Sequence, residues 1–228
     1  MSVISAIRAQ IGLSVAAANN FTFDASAVDG TMKLARGDAG APTQDIMVVN
    51  ADGTVEFPQN PVSNYSAQLL NPITATNQTA ITFNTIPSWT KRVTVLFDGL
   101  STNGLSDILV RVGVSGSAET SGYLSTAVLA VNGANGDGAT STVGFIVMNN
   151  AAVYRISGQM QIIEADPTNR TWVAGGNMGT STTSAAGSVV GSKSLTAVGT
   201  VGIVTITTAA GTQTFDAGSV AIFCEGGW

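Results

Sequence analysis

The chain has 228 residues, of which 44% are apolar and only 10% are charged, and its formal net charge is −5. Soluble domains ordinarily carry about 25% charged residues, so we expect a surface of short neutral side chains, partly covered by association between copies. Lys91 and Arg92 form the only adjacent basic pair. The composition therefore argues against phosphate-directed binding of nucleic acid.

The chemistry available to the chain is limited, because it contains no histidine and a single cysteine. Without histidine it lacks the usual general base at neutral pH and the commonest zinc ligand. We therefore expect no enzymatic activity, no metal and no cofactor. Cys224 lies in an apolar terminal run, which predicts a buried small residue. The glycine-rich run 132–138 offers oxygen atoms to calcium but lacks a closing glutamate, so a simple turn is favoured.

Residues 2–18 carry apolar side chains at intervals of three and four, which predicts a short N-terminal helix with one narrow stripe. The stripe consists of Ile4, Ile7, Ile11 and Val15. A narrow stripe is typical of a coiled-coil seam, so we expect it to join copies or to dock on another protein. Packing of the helix on its own domain is the alternative. The start lacks a signal-peptide pattern and no run is long enough to insert into a membrane.

Two β-hairpins are predicted between residues 19 and 57, because alternating runs flank Asp29-Gly30 and Asp52-Gly53. Hairpins of this size bury little surface by themselves and need partners. Proline-containing segments then predict a linker over residues 58–72. The chain is thus divided into an attachment region at 1–57, a linker, and a head domain at 73–228.

The head domain is predicted to be an all-β, antiparallel sandwich or jelly roll, because many short alternating strands follow one another with Gly, Asn and Ser turns. Val93, Val95 and Phe97 alternate with polar residues, and 108–114 repeats the pattern, so these two strands are predicted to form a hairpin. Residues 175–192 are almost entirely Gly, Ser, Thr and Ala and fit either a weak strand or a long loop.

Several segments resemble a module of bacteriophage tail-fibre proteins. They are IPSWTKRVTVLFDGLSTNG at 86–104, YRISG at 154–158 and GTQTFDAGSVAIF at 211–223, together with the runs FTFD at 21–24 and VVNADGTVEFP at 48–58. The resemblance covers most of the chain. It implies a homotrimeric virion fibre whose N-terminal part, with Ile4, Ile7, Ile11 and Val15, attaches to other tail or head proteins. The β-rich C-terminal part would bind a host cell-surface glycan or protein.

Two other functions remain open beside the fibre. A head fibre or capsid decoration protein would share its structure without binding a receptor. A polysaccharide depolymerase would need two carboxylates facing each other across a groove. Glu164 and Asp166 are neighbours, but their position before Pro167 predicts a solvated strand end.

Receptor binding is predicted at loops that an up-and-down strand order would gather at one end of the head, over 99–106, 132–141 and 165–170. Their polar residues suited to sugar hydroxyls are Asn103, Asn132, Asn135, Asp137, Asp166 and Asn169. Four aromatic residues are alternative platforms for saccharide rings, although packing in a core or interface is favoured for each. They are Trp89, Tyr123, Trp172 and Trp228.

Overall fold

A computed structural model describes residues 8–11, 21–24, 32–38, 41–50, 54–56, 66–131, 136–149, 151–180 and 185–227. The chain forms two compact units, Met1–Tyr65 with Gly227–Trp228, and Ser66–Gly226. Among the residues just given, strands make up the regular secondary structure, and every pairing between them is antiparallel. The all-β class predicted from the sequence is therefore confirmed. No helix within the described ranges is long and apolar enough to cross a membrane.

The smaller unit contains one five-stranded sheet in which each strand pairs with the next along the chain. Its strands are β1 (Arg8–Ile11), β2 (Phe21–Asp24), β3 (Met32–Asp38), β4 (Ala41–Val49) and β5 (Val55–Glu56). The β4–β5 hairpin encloses Asp52-Gly53, and the amide of Asn50 donates to the carbonyl of Thr54 at 2.8 Å. Strands β2 and β3 pair as well, while Asp29-Gly30 lies outside the described residues.

The predicted N-terminal helix is wrong at the residues that can be checked. Arg8–Ile11 is strand β1 and pairs with β2, with Ile11 opposite Phe21. Apolar residues every three or four positions set only a weak helical tendency, and Gly12 lowers it further. The Phe-Thr-Phe run of β2 has high β-propensity, and pairing with this strand overrides the helical tendency of Arg8–Ile11. Ile4, Ile7 and Val15 lie outside the described residues.

The larger unit is built from strands β6 to β18. They are β6 (Ser66–Leu69), β7 (Ile73–Thr74), β8 (Ala80–Phe83), β9 (Thr90–Thr102), β10 (Ile108–Gly113), β11 (Tyr123–Val131), β12 (Asp137–Ser141), β13 (Phe145–Val147), β14 (Ile156–Asp166), β15 (Thr171–Thr180), β16 (Ala185–Ser194), β17 (Ile203–Thr208) and β18 (Phe215–Gly226). Residues 175–192 thus belong mainly to two strands, which resolves the strand-or-loop alternative in favour of strands.

These strands form two sheets. The large sheet has the order β12-β11-β16-β15-β14-β9-β18-β6, with β7 also on β18, and the small sheet has the order β13-β10-β17-β8. One hydrophobic core draws residues from both sheets. Tyr123 of the large sheet and Phe145 of the small sheet meet edge to face, with ring centroids 5.1 Å apart. Apolar residues on alternate positions of each strand therefore hold two layers together.

The predicted hairpin between residues 90–98 and 108–114 is wrong. Strand β9 pairs with β14 and β18, whereas β10 lies in the small sheet between β13 and β17. The connecting loop passes from one layer to the other and is bonded to a distant segment, since Gln213 Oε1 accepts from Ser106 N at 2.8 Å. Alternation identified both strands and their buried faces but not their partners.

The predicted linker over 58–72 includes part of the large sheet. Ser66–Leu69 pairs with the end of β18, and the amide of Leu70 donates to the carbonyl of Ile222 at 2.8 Å. The division between the two compact units falls after Tyr65. Strand β6 ends shortly before Asn71-Pro72. The chain nevertheless stays in the larger unit, because β7 pairs with β18 directly afterwards.

Candidate functional site

The predicted receptor-binding residues do not gather at one end of the larger unit. Asn103 follows the C-terminal end of β9, whereas Asp166 and Asn169 lie in the β14–β15 turn. Because β14 runs antiparallel to β9, with Ile163 opposite Arg92, this turn lies at the other end of the sheet. Asp137 begins edge strand β12 at the same end of the large sheet as Asn103, because β11 runs parallel to β9, but β11, β16, β15 and β14 lie between β12 and β9. Asn132 and Asn135 lie outside the described residues.

Two of these polar groups have structural roles. The side-chain oxygen of Asn103 accepts from Thr214 N at 3.0 Å, and the Asn103 amide donates to the Thr214 carbonyl at 3.0 Å. Asp166 accepts from Thr168 N at 2.8 Å and from Asn169 Nδ2 at 2.7 Å. The hydrogen bonds from Asn169 lower the pKa of Asp166. These residues shape their own loops, as Asn and Asp commonly do in turns.

The aromatic residues that can be placed pack mainly inside the protein. Tyr123 and Trp172 are buried, and Trp89 is partly buried against the core. The hydroxyl of Tyr123 accepts from Val112 N at 2.8 Å and lies 3.0 Å from the carbonyl of Glu119. Burial raises the pKa of Tyr123 to about 12. Trp228 lies outside the described residues. Tyr123 and Trp172 therefore serve the core, as favoured from the sequence.

Three ion pairs join the strands at one end of the large sheet. Lys91 Nζ lies 2.6 Å from Glu164 Oε2, and Arg92 makes two hydrogen bonds to Glu225 at 2.6 and 2.7 Å. The predicted solvated strand end is therefore wrong for Glu164, whose side chain is only 7% exposed. The third pair joins Lys193 of β16 to Glu119. All three pairs tie distant parts of the chain together.

Lys193 and Glu119 lock two loops at this end. Lys193 Nζ lies 2.5 Å from Glu119 Oε2 and 5.4 Å from the centre of the Tyr123 ring. Glu119 Oε1 also accepts from Thr196 N at 2.8 Å. Burial opposes the ionisation of Glu119, but the hydrogen bonds from Lys193, Thr196 and Ala197 outweigh it, so the pKa of Glu119 is lowered. The carboxylate thus holds residues 193–197 against the preceding loop.

This pair predicts a loss of stability in acid. Because the folded pKa of Glu119 is below its ordinary value of 4.5, its stabilising contribution is present above that value and is lost as the pH falls through the folded pKa. We expect Glu119→Gln to lower the free energy of unfolding at neutral pH. The difference from wild type should shrink well below pH 4.5, in urea titrations at both pH values. A difference independent of pH would contradict this role. Asp98→Asn, which replaces an exposed carboxylate of β9, is the control and should change the free energy of unfolding by less than about 0.5 kcal/mol at both pH values.

Cys224 is fully buried in β18, as predicted, and burial raises the pKa of its thiol to about 11. Within the described ranges, no three acidic, histidine or cysteine side chains cluster so as to hold a metal ion. The remaining candidates for function are surfaces that offer hydrogen bonds and apolar contact. Two concave surfaces of this kind lie on the larger unit.

The first surface, which we call the edge groove, lies where the two sheets open between β6–β7 and β8. It encloses about 450 Å³ and is lined by Gln68, Leu69, Leu70, Asn71, Ile73, Thr82, Phe83, Asn84 and Thr85. None of these lining residues is charged. The side-chain amides of Gln68, Asn71 and Asn84 make no hydrogen bond to any other residue that the structure describes. The edge groove therefore presents neutral donors and acceptors beside aliphatic side chains.

The second surface, which we call the concavity, lies over the large sheet at the end of β11, β15 and β16. It encloses about 660 Å³. Its lining is mostly small or apolar and includes Val128, Ala130, Gly136, Asp137, Gly138, Asn177, Ala186, Gly187 and Ser188. Of the predicted receptor-binding residues that the structure describes, Asp137 is the one that lines either of these two surfaces, and its carboxylate accepts from Gly138 N at 2.8 Å.

Sequence reasoning missed the edge groove altogether. Gln68 and Asn71 fell in the predicted linker, and Asn84 follows a strand whose partner was unknown. The signal that was available is the density of amides, Gln68, Asn71 and Asn84, around the short apolar runs of β6 to β8. Only the pairing of β6 with β18 and of β8 with β17 brings them together.

Comparison with family models, with curated proteins and with solved structures finds no match to this chain. Its function is therefore inferred from its own residues and fold. The observations that bear on it are the low charge, the all-β architecture, the edge groove and the face that carries the concavity.

Proposed function

We propose that the chain is a bacteriophage virion structural protein, a trimeric tail fibre that attaches to the particle by its N-terminal unit and binds a host receptor by its C-terminal β-domain. The observation that carries the proposal is the edge groove, a neutral concave surface of about 450 Å³ on a rigid all-β scaffold. The resemblance to tail-fibre modules supports the virion location. A jelly-roll-like sandwich is the finer architecture we propose for the head.

The chemistry of the edge groove favours a neutral ligand. Amide side chains donate and accept hydrogen bonds at the same time, which suits the paired hydroxyls of a sugar or the backbone of an extended peptide. Leu69 and Ile73 supply apolar surface for the carbon skeleton of the ligand. With no charge in its lining, the groove would not retain a strongly charged ligand. We propose that the receptor is a neutral saccharide of the host surface.

The groove predicts a specific loss of binding. We expect the double variant Asn71→Ala and Asn84→Ala to reduce retention on an array of neutral bacterial surface saccharides by at least tenfold, because each lost amide removes hydrogen bonds worth about 1 kcal/mol apiece. The matched control is Asp166→Ala with Asn169→Ala, which removes the polar groups of the β14–β15 turn. Circular dichroism checks that both variants are folded.

The outcomes separate the candidate functions. Loss of binding in the control variant alone would place the receptor site at the turn, and equal binding by wild type and both variants would rule out the edge groove. A folded wild-type trimer that binds no saccharide on the array would contradict receptor binding through sugars and would favour the capsid decoration protein.

A further inference from the structure

We infer that the backbone of the two sheet edges beside the edge groove binds the saccharide, and that it selects a sugar ring with two adjacent free hydroxyl groups. This inference rests on the proposed function and names the groups on both sides of the same site. The groove lies between β6, the last strand of the large sheet, and β8, the last strand of the small sheet. A free sheet edge carries backbone N–H and C=O groups without partners.

The backbone of Leu69 directs its N–H and C=O groups to the free edge of β6, where the groove lies. Leu70 N donates to the carbonyl of Ile222 at 2.8 Å, so these two residues form a hydrogen-bonded pair beside the β6–β18 ladder. Hydrogen-bonded and non-hydrogen-bonded pairs alternate along an antiparallel ladder. Leu69, opposite Phe223, therefore directs both of its backbone groups away from β18. No residue that the structure describes bonds to them.

Thr82 presents the same two groups from the other side of the groove. Ala209 N donates to the carbonyl of Asp107 at 2.8 Å, which sets the alternation of hydrogen-bonded pairs between β10 and β17. By this alternation Val204 of β17 bonds to its β8 partner Phe83. Thr82 is the next residue, so its N–H and C=O point to the free edge of β8. Within the described ranges, these two groups have no hydrogen-bond partner.

Each of these pairs of groups matches two adjacent hydroxyls better than an isolated one. In an extended residue the N–H and C=O lie side by side and point in the same direction. One hydroxyl oxygen accepts from the N–H while the next hydroxyl donates to the C=O, so two adjacent hydroxyls satisfy both groups. An isolated hydroxyl leaves one group poorly paired once the ligand excludes water, and a buried unpaired group is costly. The edges therefore favour a ring with an unsubstituted pair of adjacent hydroxyls.

The edge of β6 is too short to favour a peptide strand in place of a sugar. Its four residues, Ser66–Leu69, offer only two outward positions, Ala67 and Leu69, and Ala67 does not line the groove. Asn71-Pro72 follows, and proline has no N–H with which to continue the edge. A sugar ring needs only one outward residue on each side, which Leu69 and Thr82 supply. The groove volume of about 450 Å³ is within the range of small-ligand sites, roughly 300–1,000 Å³.

Proline substitution tests the backbone of β6 directly. Proline removes an N–H and is tolerated on an edge strand where that N–H faces away from the neighbouring strand. We expect Leu69→Pro to weaken retention on the array of neutral saccharides at least tenfold, because the Leu69 N–H faces the groove. Ala67→Pro is the matched control, since it removes the other outward N–H of β6, and it should change retention less than twofold. Leu69→Ala gives the contribution of the side chain, and circular dichroism checks that each variant is folded.

The choice of sugar is tested with the wild-type protein, so this measurement does not depend on the folding of a variant. The array carries neutral saccharides with and without adjacent free hydroxyls. It includes two glucose polymers, amylose, whose rings each carry such a pair, and curdlan, whose interior rings carry none. We expect saccharides with the pair to be retained at least tenfold more strongly than those without it.

The outcomes keep this inference and the proposed function apart. Equal retention of the two groups of saccharides, or unchanged retention by a folded Leu69→Pro variant, would overturn the inference. The edge groove would still be the receptor site if Asn71→Ala with Asn84→Ala lost binding. Binding of a neutral extended peptide such as Thr-Val-Thr-Val, and of no saccharide, would assign the edges to strand addition and would overturn both.

Discussion

Leu100→Ala is expected to lower the free energy of unfolding by about 3 kcal/mol, whereas Leu105→Ala should change it by less than about 0.5 kcal/mol. Leu100 is fully buried in β9, opposite Ile156 of β14. Leu105 follows in the connection to β10 and is 68% exposed. The two variants remove the same atoms, so the difference between them isolates the cost of a cavity between the sheets.

Urea denaturation of the full chain, followed by tryptophan fluorescence to which buried Trp172 contributes, measures both values. Equal destabilisation by the two variants would mean that Leu105 is covered in the assembled protein. If neither variant is less stable than the wild type, the core between the sheets is not packed around Leu100.

Gly218→Ala is expected to destabilise the larger unit by about 3–4 kcal/mol. Gly218 lies in β18 where the register with β9 shifts, and its backbone φ is +84°. A Cβ atom at this position would lie 2.3 Å from the carbonyl oxygen of Gly99, a backbone atom that cannot move without separating the strands. The carbonyl of Gly218 also accepts from Ala75 N at 2.9 Å.

Gly211→Ala is the matched control for this variant. Gly211 has a similar φ of +71°, but no heavy atom lies within 4 Å of its ideal Cβ position. It should therefore show only the cost of a left-handed backbone, about 1–2 kcal/mol. Thermal unfolding of both variants separates conformational strain from the steric clash. A Gly218→Ala protein no less stable than Gly211→Ala would contradict the close approach of β18 to β9.

Local patterns in the sequence were sufficient to predict where strands lie and which of their faces are buried. The alternation around Val93, Val95 and Phe97 and in 108–114 identified β9 and β10, and the Asp52-Gly53 signal gave the β4–β5 hairpin. Pairing was predicted correctly only where partners are close in sequence. Strand β9 has partners in β14 and β18, more than fifty residues away, and nothing in its own residues selects them.

Weak strands were the hardest to assign. Residues 175–192 have low β-propensity, since Gly and Ser offer little to pack. Residues 175–180 and 185–192 nevertheless form parts of β15 and β16, because β14 and β11 supply hydrogen-bonding partners on both sides. The neighbouring strands, not the segment itself, determine its conformation.

The candidate site was less predictable than the fold. Asn103 and Asp166 are polar loop residues of the kind that binds sugars, yet their side chains hold in place the loops that carry them. The amides of the edge groove come from segments that meet only through tertiary structure. A residue type suited to a ligand does not reveal whether its hydrogen bonds are already made within the protein.

The position of β18 has a consequence for synthesis on the ribosome. This strand lies inside the large sheet, with β9 on one side and β6 and β7 on the other, although it follows all of them in the chain. At roughly 5–20 residues per second, translation takes on the order of ten seconds to reach β18 after β9 has been made. During that time one edge of β9 has no native partner on the nascent chain. A chain released early would keep that edge exposed, and protection of the emerging β-strands by a chaperone would increase the yield of folded protein.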